Sequence, residues 1–219
     1  MPRPRAFDER DVLERAREQF WTTGYAGTRM DDIARATGLG KGSLYGAFGD
    51  KNALFHRVFA DWCTAVVEVA GEQLTGGPDE EALGRLSAYV HLMAENAAVD
   101  TEHRGCLLAK GVAERAQHDP TVNKQSAQVM TALLALLREE IVAAQRNGDI
   151  DSAADSEHLA AMLLTVVRGL EAVGKAGLAP EVLRATAETA MAALPTPGKR
   201  KRHTTERDAP AAENDPAES

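Results

Sequence analysis

The chain is poor in cysteine: Cys63 and Cys106 are its two thiols in 219 residues. So few thiols, without metal-ligand spacing, exclude a disulfide scaffold and a thiolate metal centre. The six histidines are scattered, with no HExxH pair. There is no phosphate-cradling glycine loop and no nucleophile turn that would join a serine to a histidine and an acid. The expectation is therefore a non-enzyme without cofactor or metal. Aromatic residues make up 5% of the chain, and the Ala and Leu that replace them favour helices. No apolar run reaches the ~18 residues of a membrane span, and MPRPRAFDER at the N-terminus lacks a hydrophobic leader. These absences predict a soluble, cytoplasmic chain with no membrane contact.

Excess positive charge is also missing, since the net charge is −8. Its distribution matters more than its sum. Residues 1–50 carry eight Lys/Arg and eight Asp/Glu, residues 51–194 carry twelve against twenty, and residues 195–219 carry five of each. All the excess acid lies in the middle of the chain. Such a body repels nucleic acid while leaving a neutral N-terminal segment free to dock, which excludes a histone-like binder but allows a site-specific one.

What the chain does contain is concentrated in residues 24–51, GYAGTRMDDIARATGLGKGSLYGAFGDK. Before them, Asp8 to Gly24 places Val12, Leu13, Ala16 and Phe20 at helical spacing, and Gly24 can end that helix by taking positive φ. Thr28 is the expected cap of the next helix, with Asp31 and Asp32 at its positive end and Met30, Ile33 and Ala34 facing inward. Thr37-Gly38 stops it. Leu39 packs inward, and Lys41 to Phe48 forms a stubby third helix that buries Leu44 and Phe48. Asp50 caps a fourth helix starting at Lys51. A helix of about eight residues is unstable alone, so it must lean on its neighbours and offer its other side to a partner. That other side carries Lys41, Gly42, Ser43 and Tyr45. The arrangement is a helix-turn-helix, the device that fits a helix into the major groove.

Residues 6–66 resemble the DNA-binding domain of the tetracycline-repressor (TetR) family of bacterial transcription regulators. The resemblance rests on Phe20, Gly24-Tyr25, Thr28, Ile33-Ala34, Gly38-Leu39, Lys41-Gly42-Ser43-Leu44-Tyr45, Phe48 and Lys51-Asn52-Ala53-Leu54. Gly40 stands where the family usually has a capping serine, and Gly46 and Ala47 stand where it has large polar residues. The resemblance implies an all-α protein of about nine helices: a three-helix head with the helix-turn-helix at 29–48, then an effector-binding and dimerisation domain over 67–194. It also implies double-stranded operator DNA, a small-molecule effector and a second copy of the chain as partners. Thr28, Lys41, Gly42, Ser43, Tyr45 and Lys51 are the expected DNA contacts. Lys41 and Ser43 suit base edges, whereas Tyr45 and Lys51 suit phosphates, a lysine at a helix start being otherwise unfavourable.

Beyond the head, the periodicity predicts one long helix from Lys51 to about Leu74, then helices over 79–96, 104–117, 119–147, 155–176 and 180–194. The apolar residues Trp62, Tyr89, Met93, Cys106, Leu107 and Met130, with Val112 and Leu134, could line an effector pocket or simply form core. Cys106 follows Arg104-Gly105 at an expected helix start, where dipole and arginine would lower a thiol pKa and suit an electrophile or oxidant sensor; an inert core residue is the plainer alternative. Leu159, Met162, Leu163, Val166 and Leu170, with Leu183, Ala187 and Met191, stripe the last two helices and predict a dimer through a four-helix bundle. From Pro195 onward the composition predicts a disordered tail carrying Lys199-Arg200-Lys201-Arg202. Two other readings compete: a helical ligand binder whose head no longer reads DNA, and a helical-bundle enzyme.

Overall fold

A computed structural model describes residues 7–197, and among these the chain forms nine α-helices, one 3-10 turn and no strand. The head comprises α1 (Glu9–Gly27), α2 (Met30–Thr37), α3 (Lys41–Phe48) and the first half of α4 (Lys51–Leu74). After a 3-10 turn at Asp79–Glu81 come α5 (Ala82–Ala98), α6 (Leu107–Arg115), α7 (Pro120–Asn147), α8 (Ser156–Lys175) and α9 (Pro180–Ala192). Most of the expected tail, including its basic run, lies outside the described residues.

In the head, Val12, Ala16 and Phe20 of α1 are buried against Ile33, Leu44, Phe48, Leu54 and Phe55. The ring of Phe20 meets that of Phe55 edge-on at 5.1 Å, and each such fully buried ring contributes about 1.5–3 kcal/mol. Gly24 breaks α1 as expected, with φ 76° and ψ 172°, and the chain then makes one further turn to Gly27. Thr28 does not cap α2. It is buried, and its hydroxyl donates back to the Gly24 carbonyl at 2.6 Å, beside the Thr28 N–H that donates to the same oxygen at 3.2 Å. Arg29 holds the cap position instead, and its N–H donates to the Asp32 carboxylate at 3.0 Å. Gly38 ends α2 in the left-handed conformation at φ 71°. Asp50 caps α4, accepting the Ala53 N–H at 2.8 Å.

The body packs α5 between α8 and α9 and lays α4 and α8 along α7. Asp119 and Asp155 cap α7 and α8 through their carboxylates. Two boundaries differ from the periodicity. The expected helix over 104–117 starts later, at Leu107, because His103 (φ 52°) and Gly105 (φ 65°) both sit in the left-handed region and the Asp100 carboxylate takes the Gly105 N–H at 2.7 Å. The expected 79–96 helix opens as the 3-10 turn and runs on to Ala98.

The helices expected to form a dimer seam are partly spent inside one protomer. Leu163, Leu170, Leu183 and Ala187 are buried within the single chain, because α5 and α7 cover α8 and α5 covers α9. Leu159, Met162, Val166 and Met191 remain half-buried.

Candidate nucleic-acid interface and adjoining cavity

α3 is positioned by two core anchors, Leu44 and Phe48, that leave its opposite side open. Lys41, Gly42, Ser43, Tyr45 and Gly46 are exposed on that side, Tyr45 at 49%. A Cβ added at Gly42 or Gly46 would meet open space, so a duplex could approach the backbone there closely. Lys41 forms an ion pair with Asp31 of α2, an exposed contact that a guanine or phosphate would have to displace. Gly40 caps α3 with no side chain, so the first amides of α3 keep their donors free.

Lys51 departs from its expected role. Its ammonium donates to the Tyr25 carbonyl at 2.9 Å and the Thr28 carbonyl at 3.1 Å, and lies 4.1 Å from the Tyr25 ring centroid. A lysine at a helix start is explained by the carbonyl-rich end of α1 beside it, where a cation is favoured. The residue is a strut between α4 and α1. Thr28, with its hydroxyl turned inward, likewise faces away from any ligand.

Behind the head lies a cavity of about 670 Å³, within the range that takes a small organic ligand. Trp62, Val66 and Val69 of α4 and Tyr89 and Met93 of α5 give it apolar lining; Cys106 and the charged residues Arg104, Arg168, Glu171 and Lys175 line it as well. Of the expected pocket residues, Trp62, Tyr89, Met93 and Cys106 are therefore brought together. Leu107 is not among them: it is 1% exposed and belongs to the core. Met130, with Val112, lines a separate, shallower hollow, and Leu134 packs against the core. Arg104 stands close to Cys106 in the sequence, whereas Arg168 and Glu171 carry no apolar signal. The spacing of Arg168, Glu171 and Lys175, three and four apart on α8, was the available signal.

Arg168 and Glu171 pair at 3.0 Å, yet Arg168 Nε and Glu171 Oε2 are buried without an aligned hydrogen bond, as is Trp62 Nε1. Burial pushes the Glu171 carboxyl above the usual carboxylate range, against Arg168 and the Cys106 thiol, which pull it down. Cys106 is affected likewise. Burial, then Glu171, raises its thiol, and the Leu108 and Ala109 amides with Arg168 do not reverse this. The guanidinium near its sulfur, at 3.9 Å, is that of Arg168 rather than Arg104. The thiol is thus held protonated, which fits the plainer of its two readings, an inert core residue.

One wall of the cavity belongs to the head. Trp21 of α1 lines it, 4.9 Å from Trp62 between ring centroids. Trp21 Nε1–H donates to the Gly105 carbonyl at 2.7 Å, and Lys110 of α6 donates to the Trp21 carbonyl at 2.5 Å. Arg104 lies over the Trp21 ring and pairs with Glu18 at 2.9 Å. Further along, Arg115 of α6 donates to Asn52 of α4 at 2.7 Å and to Asp119 at 2.8 Å, and His56 of α4 meets Asp119 at 2.7 Å. The loop that edges the cavity is thereby bonded directly to the helix that supports the helix-turn-helix. Among the described residues no cluster of His, Cys, Asp or Glu could hold a metal ion, and no helix is long and apolar enough to cross a membrane.

A short helix exposed after a tight turn, on a helical body with its own cavity, defines the class of helix-turn-helix regulators with a ligand-sized chamber. Comparison with known proteins agrees. Residues 12–58 match the family described as bacterial regulatory proteins, tetR family, and residues 82–192 match the tetracyclin repressor-like C-terminal domain. The chain belongs to the TetR family of transcription regulators. Among its relatives is the HTH-type transcriptional repressor ComR of Escherichia coli, 24% identical over 88% of this chain and 91% of that protein. The HTH-type transcriptional repressor BdcR of Escherichia coli is 26% identical over 89% and 92%. Among solved structures, the TetR family regulator CifR, a cysteine mutant complexed with a 26 bp double-strand operator DNA, superposes with a TM-score of 0.75 at 29% identity, covering 88% of this chain and 100% of that one.

Proposed function

We propose that the chain is a ligand-responsive repressor that binds a palindromic operator as a homodimer and releases it when a small molecule enters the cavity. The observation that carries this reading is that Trp21 belongs to the DNA head and to the cavity wall at once. A ligand that moves the loop at Gly105 or parts Trp21 from Trp62 pulls on α1, and α1 carries α2 and α3 through the shared core. The heads then leave register with successive major grooves. Coupling of this kind is typically 1–3 kcal/mol, about 5–150-fold in affinity. The names of ComR and BdcR as repressors, and the operator complex of CifR, support the same direction.

In this reading Lys41 and Ser43 meet base edges and Tyr45 meets phosphate, with Gly42 allowing close approach. The exposed Arg29 at the start of α2 takes the phosphate role that Thr28 cannot fill. Dimerisation uses the outer faces of α8 and α9, where the exposed residues Ala161, Thr165, Gly169 and Val173 are joined by Val182 and Ala185. One α3 reads too few bases to be selective; two on a two-fold axis read half-sites about 34–36 Å apart or a multiple of it.

Selection of duplexes from a random pool, followed by titration, tests the reading. The protein enriches one palindrome; Lys41→Ala and Ser43→Ala change which bases are preferred, and Tyr45→Phe weakens all sites alike. Enrichment of no sequence, or unchanged binding in all three variants, overturns it.

A further inference from the structure

The cavity is uneven in a way that specifies its occupant. Its α4 and α5 side is apolar, whereas its charges gather along α8 and the loop before α6. Most of those charges are already answered. Arg168 pairs with Glu171 at 3.0 Å, Arg104 pairs with Glu18 at 2.9 Å and with Glu102 at 3.2 Å, and the Asp100 carboxylate holds the Gly105 N–H. Lys175 is the exception: among the described residues no carboxylate lies within ion-pair distance of its ammonium. Its stem lies against Gly105, where an added Cβ would be 2.7 Å from Lys175 Cδ. A second cation stands nearby. Lys110 donates to the Trp21 and Thr22 carbonyls, and its pKa falls through burial first and through Lys175 next. A cationic ligand would meet Lys175 and Arg168, and the cavity's one deep carboxylate, Glu171, is already engaged.

We infer that the effector is an amphiphile with a single negative charge, its apolar body lying along Trp62, Val66 and Met93 and its anionic head at Lys175. This rests on the reading of the cavity as the effector site and adds the class of molecule. Among the described residues that line the cavity, Lys175 is the one cation without a carboxylate, Lys110, outside the lining, being spent on carbonyls, so a carboxylate fits where a dianionic phosphate would lack its second partner.

The chain supplies its own reporter. Its two tryptophans, Trp21 and Trp62, both line the cavity, so quenching of intrinsic fluorescence reads occupancy directly. The probes are decanoate, 1-decanol and decylammonium, one apolar chain with three charges, each below its micellar concentration. Decanoate binds about tenfold more tightly than the other two. Lys175→Met brings the decanoate affinity down to that of 1-decanol, and Lys175→Glu transfers the preference to decylammonium. Lys175 is exposed, so the variants keep the wild-type circular dichroism. Equal affinities, a preference for the alcohol or the amine, no binding by any probe, or a decanoate preference that survives Lys175→Met each overturn the inference. Affinity for the selected duplex is measured in parallel and fails separately. Decanoate that binds with the stated preference but leaves duplex affinity unchanged sinks the release mechanism and keeps the ligand class; duplex selection without decanoate binding does the reverse.

Discussion

At the scale of single residues, what a side chain does is set by what stands beside it. Lys51 sits where a phosphate contact is expected, yet its ammonium is bonded to the Tyr25 and Thr28 carbonyls. Lys51→Met is therefore expected to lower the stability of the head by about 1–2 kcal/mol, measured by thermal unfolding. The slope of log affinity against log salt should stay as in the wild type, since no phosphate contact is lost; a flattened slope would return Lys51 to the DNA. Cys106 makes the same point. A helix start and a neighbouring arginine argue for an activated thiol, but burial and Glu171 hold it protonated. In a Cys63→Ser background, alkylation of Cys106 by iodoacetamide should be slower at neutral pH than that of a free thiol, its rate still climbing above the ordinary cysteine range. A fast, pH-independent rate at neutrality would refute this.

At the scale of elements, α3 is a helix of eight residues with two buried anchors, too short to hold alone and packed against α2 and α4. Part of what holds the head to the body is a small set of contacts centred on Asp119, beside those of Trp21 and Glu18. Burial of that carboxyl opposes ionisation, but hydrogen bonds from His56, Arg115 and the Val122 amide overcome it and bring its pKa down to about 2. Because the folded pKa is depressed, the stabilisation is fully present above the unfolded value of 3.8 and is lost as pH falls from there toward 2. Asp119→Asn should cost about 1–2 kcal/mol at neutral pH and flatten the stability profile between those limits, as read by urea unfolding at a series of pH values. An unaltered acid limb would show that the pair holds nothing.

At the scale of the whole molecule, a single head is insufficient for selective binding, so the proposed dimer through the α8 and α9 face is the point to test. That face is made of small or apolar residues, and at Gly169 an added Cβ would meet only open space. Gly169→Arg should therefore fold as the wild type does but sediment as a monomer at micromolar concentration, with operator affinity down by at least about a hundredfold. A dimeric Gly169→Arg with full affinity would move the interface elsewhere. The acidic body fits the same picture. In that proposal it weakens non-specific attraction to DNA and leaves discrimination to the heads.

Local signals alone determined the helical class, the boundaries of α3 and α4 and the exposed side of α3, because caps, left-handed glycines and 3.6-residue periodicity act within one or two turns of the chain. Gly24, Gly38 and Asp50 did in the structure what their types allow. Tertiary packing decided the rest. It turned Thr28 inward, bonded Lys51 to α1, and buried Leu163 and Leu183 inside one protomer. It also assembled a cavity whose walls, Trp21 and Lys175, are far apart in sequence. Periodicity tells which face of a helix is apolar, but not which neighbour covers it. The charges on that cavity become legible only when distant helices bring them, or fail to bring them, a partner.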